Sequence, residues 1–405
     1  MSIVILNKWK NCINSYPKWL NEVKEKIYVI TPVDLGEETK KESFYSKIYP
    51  LIDYSDDIEV EELCHRINSV DPINNIIALQ EYDIFRAASI RESLKIPGQT
   101  ISSAVAFRDK VLMKSILKSK NINVDKFSSV RSYSEIIDFC TLNGYPVVLK
   151  PRDAGSSTDV KIVRDTSMVK KAVKSMTLSH LGMISNVMVE RFIYGDLFHV
   201  DGFILNQKII YACSFRFYGS QINFNSESPR GSISLSSSEL KENIECFAGK
   251  CALALPHPDS FAFHAEIFLN EKKEFVLGEI GSRVGGTGIN SAVALVSGYN
   301  PNELYARVQA GLSVDGKKKE VKRYSGWRLI AKRPGEVFNI LTDIPFEWVY
   351  EFRNNVELGK ITYESKRYLD FMALIVVYGE DEIEVEKRLC FSEKWYLEHT
   401  IRCIK

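Results

Sequence analysis

The chain has 405 residues, 45% of them hydrophobic and 26% charged, with a formal net charge of +1. That length exceeds one ordinary core and predicts two or three domains of globular composition. The near-neutral balance excludes binding driven by bulk charge to nucleic acid or an acidic membrane, and no apolar run approaches the roughly 18 residues of a membrane span.

The first apolar run covers only residues 3–6 before Asn7 and Lys8, shorter than the about 7–15 residues of a secretory signal. A cytoplasmic protein is expected, and its eight cysteines, with no CxxC pair, read as reduced thiols. Cys246 and Cys251 read as helix-packing residues, and the lysines at 317–319 as a solvated loop. The six histidines form no HExxH or Cys/His cluster, so zinc is not indicated.

In chain order, "SIVIL" (2–6), "IYVITP" (27–32), "IYPLIDY" (48–54) and "NIIALQEYD" (75–83), ending at Glu81, read as strands. Between them "SYPKWLNEVKEK" has a helical period. "DIEVEELCHRINSV" is an amphipathic helix with Ile58, Leu63 and Ile67 on its apolar face. This rhythm predicts a parallel sheet with helices on its faces. No GxGxxG follows the first strand, so a dinucleotide site there is unsupported.

After "IPGQ" (96–99) the pattern changes. "SSAVAFRDKVLMKSILKSKNI" reads as one long helix capped by Ser102 or Ser103. "EIIDFCTLNG" is a helix ended by Gly144, and another covers about 165–180. "NVMVERFI" and "LFHVDGFILNQKIIYACSF" give antiparallel strands, and a helix returns near 236–253. "FAFHAEIFLNEKKEFVLGEIGSR" is a hairpin, "NPNELYARVQAGL" a helix started by Asn300, and the stretch from about 321 is strand-rich with one helix.

Three pieces carry chemistry. In "GYPVVLKPRDAGSSTDVKIV" (144–163) a strand ends in Lys150 and runs into a small-residue loop, Asp153 through Thr158. A lysine and a nest of loop donors, including Ser156, Ser157 and Thr158, suit the phosphates of ATP; an ordinary buried-strand terminus is the plainer alternative. In the hairpin, a loop at 271–274 pairing Asn270 with Phe275 sets Glu266 opposite Glu279, with His264 on their face. Like charges at that spacing repel, so a cation belongs between them, and two carboxylates suit Mg²⁺; a solvated surface hairpin is the alternative. Arg283, in the glycine-rich "GSRVGGTG", can hold a phosphoryl or acyl-phosphate oxygen by a forked bond, unless it is a surface turn residue.

Taken together, "RDKVLMKSIL", "YPVVLKPRDAGSSTDV", "VMVERFIYGDLFHVDGF", "FHAEIFLN" and "LGEIGSRVGG" resemble, in order and spacing over residues 104–310, the ATP-grasp enzymes of the carboxylate–amine ligase type. The resemblance implies an α/β (α+β) chain. A pre-ATP-grasp α/β domain covers 1–103 and the ATP-grasp domain 104–310, with a lid at about 104–190 and a larger part at about 191–310. A small strand-rich domain follows at 311–405. It implies Lys110 and Lys150 as nucleotide lysines and Asp153, Ser156 and Ser157 in the phosphate-covering loop. Main chain near Glu190, Arg191, Phe192 and Ile193 becomes the adenine hinge, Glu266 and Glu279 the Mg²⁺ ligands, and Arg283 the stabiliser of an acyl phosphate. Mn²⁺ substitutes for Mg²⁺ in such sites. Two positions depart from the pattern. Leu197 stands where a ribose-binding acid is common, so Asp196, or His199 and Asp201, become the substitutes. Gly281 stands where an asparagine often completes the metal shell.

The implied activity joins a carboxylate to an amine through an acyl phosphate, releasing ADP and phosphate. Arg216 and Arg230, in the polar and aromatic segment 214–235, are candidates for a substrate carboxylate, or surface arginines. The expected substrates are small amino-acid-like acids and amines, with no nucleic acid or membrane partner and a homodimer as the common assembly. The alternatives are a ligase loading an amino acid onto a carrier protein, and an ATP-binding protein that has lost catalysis. A carboxylase subunit is disfavoured, since no biotin-associated motif is present.

Overall fold

The computed structural model describes the chain apart from residues 40–42, 156–157, 177–182, 220–229, 237, 315–323, 366–369 and 403–405. It opens with four parallel strands, β1 (Ser2–Leu6), β2 (Lys26–Pro32), β3 (Lys47–Leu51) and β4 (Ile73–Ala78), in the spatial order β3-β2-β1-β4. Alternate residues of β1 enter two cores: Ile3 and Ile5 join Tyr16, Trp19 and Phe107, while Val4 and Leu6 join the helix Asp57–Val70. Burial on both faces is why these strands are continuously apolar.

The helices depart from the sequence reading in extent, in buried face and in continuity. The segment 15–26 forms only the short helix Tyr16–Trp19, started by Pro17, with its charged remainder left as turn. In Asp57–Val70 the buried stripe is Val60, Leu63, Cys64 and Ile67, whereas Ile58 is 72% exposed. The long helix expected from 102 is two helices, Ile101–Arg108 and Lys110–Ser119, broken by Asp109 in an extended conformation. Thr100 caps the first. Asp109 caps the second by accepting from Val111 and Leu112 N–H, so one aspartate ends one helix and starts the next.

The second sheet contains β5 (Phe127–Val130), β6 (Val147–Pro151), β7 (Lys161–Val163) and β8 (Val187–Arg191), all antiparallel and ordered β5-β8-β6-β7. Val147, Leu149, Val187 and Val189 pack against the helices Tyr133–Asn143 and Thr166–Lys174. Strand alternation turns Val148, Lys150 and Glu190 to the opposite face.

The remaining strands are β9 (Gly195–Leu205), β10 (Lys208–Tyr218), β11 (Arg230–Ser234), β12 (Phe261–Asn270), β13 (Phe275–Gly281), β14 (Tyr324–Ala331), β15 (Gly335–Val337), β16 (Val349–Asn354), β17 (Ile361–Thr362), β18 (Phe371–Gly379) and β19 (Ile401–Arg402). Eight of them form one antiparallel sheet, β13-β12-β9-β10-β11-β14-β18-β16. The boundary set at 310/311 therefore does not separate two sheets, because β14 pairs with β11 and carries β18 and β16 with it. Phe198, Val200, Ala265 and Ile267 cover one face with the helix Glu239–Ala254. Leu197, His264 and Glu266 face the other way, into a cleft.

Among the described residues no helix is long and apolar enough to cross a membrane.

Candidate active site

A cavity of about 1270 Å³ lies between the second sheet and the cleft face of the large sheet, with the N-terminal domain along one side. Its lining includes Lys110, Lys150, Glu190, Glu266, Glu279 and Arg283. One space thus gathers three cations and three carboxylates from five separate parts of the chain.

The hairpin β12–β13 supplies the carboxylates. Glu266 is paired directly with Glu279. The route to that pairing differs from the sequence reading: Leu269, not Asn270, faces Phe275, and a bulge at Gly278 shifts the register by one before Glu279. Lys110 Nζ lies 3.3 Å from Glu279 Oε2 and donates to Ala154 O at 2.6 Å, so it links this carboxylate to the small-residue loop. Paired carboxylate oxygens beside a phosphate-scale cavity are a donor set that fits Mg²⁺.

Behind Glu266 lies a buried polar chain. His264 Nδ1 donates to Asp201 Oδ1 at 2.9 Å, His199 Nδ1 donates to Asp201 Oδ2 at 2.6 Å, and Ser232 donates to His199 Nε2 at 2.7 Å. Burial opposes charge on His264, yet the Asp201 carboxylate, with help from Glu266, outweighs it and lifts the pKa to about 9. His199 moves the other way, lowered chiefly by burial. Asp201 is held well below the usual carboxylate range by both rings. His264 is therefore the cation of the set, and its Nε2 lies 3.9 Å from Glu266 Oε1. Burial would raise Glu266, but His264, Arg230 and Arg283 bring it down to about 2. Ligand atoms of His199, Asp201 and His264 lie within 4.8 Å of one another. The 2.6 and 2.9 Å contacts are hydrogen-bond lengths, however, shorter than the roughly 3.3 Å between ligands around a tetrahedral zinc.

This corrects the ribose assignment of His199. The ring is fully buried, stacked on Phe215 and bonded at both nitrogens. Asp201 is likewise consumed by two histidines. Asp196 is exposed and outside the cleft lining, while Leu197 faces the cleft.

On the second sheet, Lys150 Nζ lies 2.5 Å from Glu190 Oε1, and Lys114 Nζ lies 2.8 Å from Glu190 Oε2. Burial would raise the Glu190 pKa, but the two ammonium groups hold it at about 2. Lys114 was absent from the sequence reading. Its signal was its place one turn after Lys110 on the same face of an apolar helix. In the segment expected to form the adenine hinge, Arg191 N–H donates to Lys126 O and Phe192 N–H to Pro146 O. Among the described residues Ile193 N–H has no backbone acceptor. Val148, Ile162, Phe192, Leu197 and Phe268 give that end of the cleft apolar walls. The Arg191 side chain points away, to Asp125 at 3.0 Å.

Asp153 lies outside the cleft lining and accepts from Asn186 Nδ2 at 2.6 Å, while Ala154, Gly155 and Thr158 line the cleft. Ser156 and Ser157 lie outside the described residues. Arg230 is buried in the cleft wall, where its charge acts on Glu266. Arg216 does not reach the cleft: alternation along β10 turns Phe217 inward and Arg216 outward, to Glu382 at 2.9 Å. Arg283 Nε donates to Glu81 Oε2 at 2.5 Å and its Nη1 to Val284 O at 2.9 Å. Glu81, read only as a strand end, is thus a cleft residue. It sits just beyond the carboxyl end of β4, where α/β sheets place ligand-facing groups.

The glycines after Arg283 have steric reasons. A Cβ on Gly285 would lie 2.5 Å from Asp201 Oδ1, and one on Gly288 2.8 Å from Trp327 Cβ. Backbone without side chains lets this segment lie directly on the sheet.

No protein-family model matches the chain. It is 24% identical over 253 residues to an L-arginine-specific L-amino acid ligase of Bacillus subtilis, covering 61% of this chain and 60% of that protein. It is 30% identical over 171 residues to a D-alanine–D-alanine ligase of Clostridium botulinum (strain Okra / Type B1), covering 41% of this chain and 54% of that protein. The chain thus spans about half to three-fifths of the length of these curated relatives. Among solved structures, the L-amino acid ligase of Bacillus licheniformis superposes with a TM-score of 0.79 at 16% identity, covering 100% of this chain and 99% of that one.

Proposed function

We infer, from the premise that this chain is an ATP-grasp protein, that it is an ATP-dependent ligase joining a carboxylate to an amine. The observation that carries the reading is the convergence of Lys110, Lys150, Arg283 and the facing pair Glu266–Glu279 on one cleft. The likeness to an L-arginine-specific L-amino acid ligase supports amino acids as the substrate class. The product is then a dipeptide or amino-acid conjugate.

A free carboxylate is a poor electrophile at neutral pH, and phosphorylation of its oxygen creates a leaving group. In this reading the acid takes the γ-phosphoryl group of ATP, ADP departs, and the amine attacks the acyl phosphate and expels phosphate. The protein's share of such chemistry is positioning and charge neutralisation. Ile193 N–H and the hinge carbonyls hold adenine between the apolar walls. Lys110 and Lys150 neutralise phosphate charge, and the loop beginning at Ala154 covers it. Arg283 and Arg230 face the reacting oxygens. Glu266 and Glu279 would hold Mg²⁺, which supplies charge neutralisation to the phosphate oxygens when bound.

A second reading, nucleotide binding without catalysis, is motivated by Gly281 and Leu197, which leave the metal and ribose with fewer side-chain partners.

The test is release of ADP and phosphate from ATP and Mg²⁺ against a matrix of amino acids, small acids and amines, with mass spectrometry of every hit. ADP with a product one water lighter than its two components establishes the reading. AMP overturns the acyl-phosphate route. ATP binding without turnover across the matrix favours a carrier-protein acceptor or the second reading.

A further inference from the structure

The geometry points to Glu81 as a positioning residue that fixes the aim of Arg283 and ties it to Asp153, directly before the phosphate-covering loop that begins at Ala154. The inference rests on the roles given above to Arg283 and to that segment.

Three parts of the chain meet at this carboxylate. Oε2 accepts from Arg283 Nε at 2.5 Å, and Oε1 accepts from Arg108 Nη1. Arg108, the last residue of its helix, also donates through Nη2 to Asp153 O. A continuous run, Asp153–Arg108–Glu81–Arg283, therefore connects the loop backbone to the guanidinium over the hairpin. Burial alone would raise the Glu81 pKa, but the two arginines hold it at about 2, so it is an anion throughout the working range.

The pairing decides which edge of Arg283 meets substrate. A guanidinium carries five N–H groups in a rigid plane. Glu81 takes Nε–H and Val284 O takes one hydrogen of Nη1. Among the described residues, no acceptor engages Nη2. A substrate oxygen then meets the end of the fork, through Nη1 and Nη2, and not its side. Removal of Glu81 frees rotation about the last side-chain bonds and offers substrate the wrong edge. Gly281 makes the arrangement sterically open. A Cβ there would lie 3.2 Å from Glu81 Oε2 and in ordinary contact, at 3.4 Å, with Arg283 Cγ, so a larger residue would crowd the Glu81 carboxylate.

The test uses the full chain and its Glu81→Ala, Glu81→Gln and Arg108→Ala variants, each checked for folding by circular dichroism. Hydrogen exchange by mass spectrometry is read on peptides covering 152–155 and 281–286. Both alanine variants should speed exchange in both segments about tenfold, with Glu81→Gln intermediate because it keeps acceptor oxygen. Exchange at 281–286 unchanged in Glu81→Ala overturns the link. With a substrate pair identified by the screen above, Glu81→Ala should keep the KM for ATP within twofold and lower kcat about 10–100-fold, the scale of a misplaced catalytic group. ADP should then exceed amide, because the acyl phosphate is lost to water. A lowered kcat with one ADP per amide would mean a merely structural role and overturn the assignment. If the wild-type chain turns over no pair, ligation of small-molecule pairs fails, while the exchange experiment still decides the link.

Discussion

Lys150 and Glu190 occupy neighbouring antiparallel strands and meet at 2.5 Å, so the cation at the end of β6 is answered by the anion at the end of β8. Lys114, fully buried on a separate helix, takes the other carboxylate oxygen at 2.8 Å. One carboxylate therefore compensates two ammonium groups. Glu190→Gln would take from both their directly bonded counter-charge, leaving Lys150 only the more distant Glu279 and Glu266 and Lys114 only Asp125; losing one partner of a buried pair costs roughly 3–5 kcal/mol. Urea unfolding should show that loss, and calorimetry should show weakened ATP binding. Wild-type stability in this variant would mean that the lysines are already neutral.

The same group sets an acid limit. The Glu190 pKa falls from the ordinary 4.5 to about 2 in the folded chain. A depressed carboxylate stabilises the fold fully above its unfolded pKa, and that contribution is lost as pH falls through 4.5 toward 2. Glu81 has the same sign and the same range. Thermal unfolding between pH 6 and 3 should show the melting temperature falling most steeply below about pH 4.5, and less steeply in Glu190→Gln.

Glu266 and Glu279 face each other with Lys110 against the second. If they hold Mg²⁺, either Glu→Gln change removes several kcal/mol of charge stabilisation, or about 10³-fold in Mg²⁺-dependent ADP formation. Circular dichroism should remain that of the wild type. Retained activity in Glu279→Gln would reassign the metal site.

What the sequence made legible was what depends on short periods. The run of two in "YPVVLKP" turns Val147 and Leu149 to the helices and Lys150 to the cleft. The pairing of Glu266 with Glu279 was also within reach, although only a bulge at Gly278 brings it about. Contacts between distant segments were not legible. Nothing local marks Glu81 as the partner of Arg283, 202 positions away. His199 looked like a ribose ligand because its strand face was correct, but the depth at which Asp201 and Ser232 hold it depends on three further strands. The break at Asp109 was hidden because the apolar period continues across it.

Arg216 and Arg230 separate two places that the sequence could not tell apart. Arg216 makes an exposed pair with Glu382 of the last helix. Exposed pairs contribute about 0–1 kcal/mol, so Arg216→Ala should leave the kinetics of the proposed ligase reaction unchanged and stability within about 1 kcal/mol. Arg230 is buried beside Glu266. Arg230→Ala should raise the KM of the acid substrate or lower kcat. Equal kinetics in the two variants would remove Arg230 from the substrate site.

Gly285 offers a test in which no charge is changed. Its backbone lies so close to the sheet that a Cβ would stand 2.5 Å from Asp201 Oδ1 and 2.3 Å from Ile289 Cγ2. Ile289 opens the following helix and Asp201 is pinned by two histidines, so neither neighbour yields easily. The segment between Arg283 and Ile289 must lift instead. Overpacking of this kind costs about 1–3 kcal/mol in stability. The larger expected effect is on Arg283, two residues upstream, whose Nη1 bonds to Val284 O inside the displaced stretch. A shift of about 1 Å in such a group lowers rate by about 10²-fold. Gly285→Ala should therefore lose far more activity than its melting temperature suggests, with ATP affinity unchanged, since adenine in the proposed reading is held at residues 190–193. Gly286, whose added Cβ meets nothing within 4 Å, is the matched control, and Gly286→Ala should retain both activity and stability. If the two alanines behave alike, close packing on Asp201 is not what places Arg283.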